Sequence, residues 1–68
     1  MAVRVRLMFS HPAGEEHEIE PGRLADWLRE MDINPEEVIA LRGGRPIPVE
    51  DRVKDGDEVE IIRVVSGG

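Results

Sequence analysis

The chain has no cysteine among its 68 residues. That absence excludes disulfides, thiolate metal sites and a thiol nucleophile together. It is also poor in lysine: Lys54 stands alone among nine basic residues, the rest being arginine. No apolar run approaches the roughly 20 residues needed to span a bilayer. The opening Met1-Ala2-Val3-Arg4 lacks the long apolar segment of a signal peptide. The expectation is a cytoplasmic protein with no membrane partner. No Ser, His and Asp stand at catalytic spacing, and a chain of this length leaves little room for a substrate cleft beside a core. The chain therefore reads as one domain that carries or binds, and not as an enzyme.

The charge balance narrows the partners further. Fifteen acidic residues against nine basic ones give a formal net charge of −6. An acidic surface repels phosphate backbones, which argues against direct nucleic-acid binding, and it steers basic protein surfaces inward.

What is present is a clear alternation of patterns. Val3, Val5, Leu7 and Phe9 alternate with Arg4, Arg6 and Met8, the period of a strand with one buried face. Ser10 to Gly14 supplies a turn. A second strand is expected from Glu15 to Glu20, with His17 and Ile19 facing inward. After Pro21-Gly22, the stripe Leu24, Trp27, Leu28 and Met31 marks an amphipathic helix with Trp27 in the core. Asn34 before Pro35 predicts its end near residues 31–33. No Ser, Thr or Asn stands ready to cap its start.

Val38 to Arg42 reads as a third strand. Arg45 to Pro48 is its return after a Gly43-Gly44 turn, and two prolines confine it to a sheet edge. Residues 50–54 read as a connection, and Asp55-Gly56 as a turn. The last strand, Glu58 to about Val65, is the most apolar and is expected at the centre. The fold class is α+β, a mixed sheet of four to five strands packed on one main helix. Residues 1–65 form the domain and residues 66–68 a Ser-Gly-Gly tail with nothing to hold it in a sheet.

That tail is where chemistry is expected. Glycine has no Cβ, so Gly67 and Gly68 can pass through a narrow channel and adopt backbone angles closed to other residues. Three extended residues reach about 10 Å, enough to carry the Gly68 carboxylate clear of the domain and into another protein's cleft.

Asp55-Gly56-Asp57-Glu58-Val59-Glu60-Ile61-Ile62-Arg63-Val64-Val65-Ser66-Gly67-Gly68 resembles the C-terminal signature of the ubiquitin-like sulfur carriers and modifiers. These include the ThiS and MoaD-type carriers, the TtuB-type carrier of tRNA thiolation and the small archaeal modifier proteins. The passage Trp27 to Val38 and the turn Arg42 to Pro48 are similar to the same families, so the likeness covers nearly the whole chain. It implies a β-grasp fold with its first and last strands parallel and adjacent.

The resemblance further implies adenylation of the Gly68 carboxylate by an E1-like enzyme using Mg-ATP, then conversion to a thiocarboxylate. No cofactor is bound by the chain itself. The implied partners are the E1-like enzyme, the sulfur donor and an acceptor: a tRNA thiolase, a thiazole synthase or the large subunit of molybdopterin synthase. In a modifier, target-protein lysines take that place. Ser66 before the glycines leans towards the modifier and tRNA-thiolation group.

Ile62 and Val64 are expected on the strand face opposite Val59 and Ile61. With Arg63, they are the candidate docking residues for a partner, although scattered exposed aliphatics are normal on any domain. Lys54 is the side chain open to self-conjugation. Arg4 and Arg6 are expected to pair across strands with Glu58 and Glu60. The competing reading is a β-grasp interaction module whose tail is idle.

Overall fold

The structure is a computed structural model and describes residues 2–9 and 14–64. The expectations for Ser66, Gly67 and Gly68, and for most of the turn at Ser10 to Gly14, lie outside the described residues, as does Val65.

Strand β1 (Val3–Leu7) pairs antiparallel with β2 (Glu15–Ile19) to make the expected hairpin. Its alternation is realised: Val3, Val5 and Leu7 are buried while Arg4 is exposed. Helix α1 (Leu24–Glu30) follows and buries Leu24, Ala25 and Leu28 against the sheet. Strand β4 (Val38–Arg42) turns at Gly43-Gly44 into β5 (Arg45–Ile47). Both glycines have positive φ, 59° and 81°, which a two-residue turn of this hand requires at both positions. Strand β7 (Glu58–Arg63) closes the sheet.

The sheet order is β2-β1-β7-β4-β5. β7 runs parallel to β1 and antiparallel to β4, at the centre, and β5 with Pro46 lies at an edge. This is the expected mixed five-stranded β-grasp sheet under one helix. Val59 and Ile61 of β7 are 1% and 0% exposed, so the last strand is also the middle of the core.

Five expectations need correction. Residues 50–54 are not merely a connection, since β6 (Arg52–Val53) pairs with β3 (Gly22–Arg23) and Val53 is 2% exposed. Met31 does not complete the buried stripe. The helix has ended before it, and it is 38% exposed. Trp27 is half-buried at the margin of the core, not inside it. The last strand stops at Arg63, leaving Val64 outside the sheet, and β2 stops at Ile19.

Backbone hydrogen bonds set both ends of α1. Its start lacks a side-chain cap. The N–H groups of Leu24 and Ala25 instead donate to the backbone carbonyls of Asp51 and Val49, at 3.2 and 2.8 Å. The segment joining β5 to β6 thus does the work of a capping residue. At the other end, Asp32 takes φ 63°. Ile33 N–H then donates to Leu28 C=O and Asp32 N–H to Arg29 C=O, the paired bonds of a Schellman ending. Asn34 and Pro35 act one step later. The Asn34 side chain accepts from Glu36 N–H at 3.0 Å and caps the short 3-10 turn Pro35–Glu37.

Candidate docking face and tail root

Strand β7 sorts its residues between two faces by the strict alternation of a strand. Val59 and Ile61 enter the core, while Glu58 and Glu60 stand on the opposite, outer face. There they meet the arginines of β1, directly opposite in register. Arg4 lies 3.7 Å from Glu58 and 3.8 Å from Glu16, and Arg6 lies 3.3 Å from Glu60. The expected cross-strand pairing is present, and these pairs are exposed enough for water to weaken each one.

Further along β7 the outer face turns apolar. Ile62 stands opposite Ile39 of β4, which is 36% exposed, and Leu41 stands opposite Glu60 and Pro46. Met8 donates its N–H to the Ile61 carbonyl at 2.9 Å, which sets it beside Ile62 in the parallel register of β1 and β7. Val64 follows at 45% exposure. Met8, Ile39 and Ile62 thus share the outer face at this end of the sheet, and exposed Val64 follows just beyond the strand. Ile39 was missed from sequence because Val38 to Leu41 reads as an uninterrupted apolar run. Its alternate members face opposite ways.

The strand separates Arg63 from its two neighbours. It lies on the helix side of the sheet, with its guanidinium 4.6 Å from the centre of the Phe9 ring. A cation over an aromatic face at that distance is attractive. Val64 N–H donates to the Glu37 carbonyl at 2.9 Å. Two contacts from opposite sides, one to Phe9 and one to Glu37, therefore fix the direction in which residue 64 leaves the sheet.

Lys54 lies at the other end of β7, exposed in the turn of residues 54–57. Its own N–H donates to the Asp57 carboxylate at 2.9 Å, and Asp57 N–H returns to the Lys54 carbonyl, also at 2.9 Å. Arg42 holds the same carboxylate at 3.4 Å. Among the described residues, no group of three or more His, Cys, Asp and Glu side chains is placed to hold a metal ion, and no helix is long and apolar enough to cross a membrane.

The sequence profile of small archaeal modifier protein 2 matches residues 1–65. The chain belongs to this family. Small archaeal modifier protein 2 of Haloferax volcanii is 43% identical over 47 residues, 69% of this chain and 70% of that protein. Sulfur carrier protein TtuB of Thermus thermophilus is 35% identical over 65 residues, 94% of this chain and all of TtuB. An uncharacterized protein of Archaeoglobus fulgidus is 34% identical over 68 residues, the whole of both chains. The family is one of ubiquitin-like sulfur carriers and modifiers, small proteins that are not themselves catalysts.

Proposed function

We propose that this small archaeal modifier protein 2 family member is activated at the carboxylate of Gly68 and serves as a sulfur carrier, a protein modifier or both. The observation that supports it most is the placement of β7. The central strand of the sheet leads into the last residues, and its exit is held by Glu37 and Phe9 beside an apolar face. A rigid root reduces the freedom lost when the segment beyond it enters a partner's cleft.

In this reading, an E1-like adenylating enzyme docks on Met8, Ile39, Ile62 and Val64 and receives Ser66, Gly67 and Gly68 in its nucleotide site. A carboxylate oxygen of Gly68 attacks the α-phosphorus of Mg-ATP, pyrophosphate leaves, and an acyl-adenylate forms. Hydrosulfide delivered by a partner then displaces AMP and leaves a thiocarboxylate. If a thiol displaces AMP instead, the product is a thioester that a lysine amine can open to an isopeptide. Lacking cysteine, this chain supplies no thiol of its own. The thiocarboxylate is passed to an acceptor such as a tRNA thiolase, a thiazole synthase or a molybdopterin synthase large subunit, in the cytoplasm. Lys54 is the one lysine through which copies of this chain link to one another.

The test is intact-mass analysis after incubation with an E1-like enzyme, Mg-ATP and sulfide. The expected product is heavier by the exchange of one oxygen for one sulfur, and deletion of Gly67 and Gly68 removes it. Conjugation in cells appears as a ladder of higher bands with the same dependence on the two glycines. Unchanged partner binding and phenotype in the deletion variant would instead favour an interaction module with an idle tail.

A further inference from the structure

The opposite edge of the sheet carries a second surface that the proposed chemistry does not use. Strand β2 is an edge strand. Arg4 N–H bonds to the Asp57 carbonyl and Met8 N–H to that of Ile61, so even-numbered residues of β1 address the β7 side. Odd-numbered ones then address β2, opposite Ile19, His17 and Glu15. By the alternation of an antiparallel pair, Glu16 and Glu18 turn their backbone N–H and C=O groups outward, to the open side. Among the described residues no strand pairs with Glu16 and Glu18 on that side, and an open edge of this kind is a template for another strand.

A groove of about 430 Å³ runs beside that edge, between the end of β2 and α1. Half-buried Ile19 and Trp27 contribute its apolar floor, and Trp27 is braced from within by the His17 ring 5.7 Å away. The rim carries Glu18, Glu20 and Glu30 against a single cation, Arg23. Asp26 also lies on the rim, but Arg29 takes it at 3.4 Å. The charge selects the occupant. A second copy of this chain would bring glutamate against glutamate, and nucleic acid or an anionic membrane would be repelled. An extended segment bearing lysine or arginine satisfies three features at once. Its backbone pairs with Glu16 and Glu18, its cations meet the rim carboxylates, and one of them can stack on the indole of Trp27.

We infer that the β2 edge and the adjoining groove dock a basic, extended segment of a partner protein. This surface is separate from the apolar face around Ile62, so one partner can hold the domain while another works on its C-terminus.

Trp27 is the sole tryptophan, which makes its fluorescence a direct reporter. The probe is a peptide of about six residues, the length of a strand, alternating lysine with valine. Titrated into the full chain, it should shift Trp27 emission saturably, and affinity should fall about fivefold or more as salt rises to about 0.5 M. Amide shifts should map to residues 16–20 and 23–30. The doubly reversed variant Glu18→Lys with Glu20→Lys, both exposed and away from the core, should lose binding while keeping its melting temperature. Deleting Gly67 and Gly68 should leave peptide binding unchanged, so the result stands apart from the fate of the activation chemistry. Equal binding of the matching glutamate–valine peptide, shifts confined to Ile39 and Ile62, or an unchanged affinity in the reversed variant would overturn the inference.

Discussion

Asp32 shows how one residue can end an element for reasons that composition hides. A left-handed backbone costs an ordinary L-residue roughly 1–2 kcal/mol, and aspartate tolerates it better than most because its short polar side chain can bond locally. Asp32→Gly removes that strain at the helix ending and should raise stability by about 0.5 kcal/mol. Asp32→Val should lower it by about 1–2 kcal/mol, since a β-branched side chain fits that conformation worst. Chemical denaturation of the two variants measures both. Opposite signs are the expected outcome, and equal losses would show that the aspartate side chain itself holds the turn. At the same scale, Arg63→Ala removes the stacking on Phe9. It should cost about 0.5–1 kcal/mol by denaturation, as for an exposed cation over an aromatic ring.

At the scale of elements, the small β3–β6 pair and the capping of α1 form one device. Val53 anchors β6 in the core, and the preceding segment presents the carbonyls of Val49 and Asp51 to the first N–H groups of the helix. Val53→Ala should therefore do more than lose a buried side chain, a loss of about 1–3 kcal/mol. The amide protons of Leu24 and Ala25 should exchange faster than those of β7, because the cap loosens before the sheet does. Uniform acceleration across the chain would show that the pair is an ordinary part of the core. The arginine–glutamate pairs of β1 and β7 belong to a different class. Their exposed side chains make each worth about 0–1 kcal/mol, and they contribute more to the register of the outer face than to stability.

At the scale of the whole molecule, the sheet divides the labour between its faces. The inner face binds the helix and makes the core, and the outer face is charged at one end and apolar at the other. Ile39→Glu lies on the outer apolar end and should leave the melting temperature within a few degrees, since surface changes away from packed contacts usually stay within about 0.5 kcal/mol. The same change should raise the apparent KM of the activating enzyme for this protein while the unmodified tail remains intact. A large loss of stability would show Ile39 to be structural. An unchanged KM would move the docking face elsewhere.

The amino-acid order alone determined much of this protein. Alternation in residues 3–9, the stripe Leu24-Trp27-Leu28, the Gly43-Gly44 turn and the apolar final strand each carry a local physical signal: period two, period three to four, positive φ and burial on entering a sheet. The kinship with small archaeal modifiers was equally legible, because its marks are short, contiguous phrases. Tertiary structure decided what depends on neighbours distant in the chain. Val53 is a lone apolar residue in a polar stretch and joins the core where β6 pairs with β3. The cap of α1 comes from backbone more than twenty residues away. Met31 leaves the buried stripe because the chain turns at Asp32. Ile39 and Ile62 become one surface only when β4 and β7 lie side by side. A sequence records which groups seek burial, but the pairing of strands decides which of them meet.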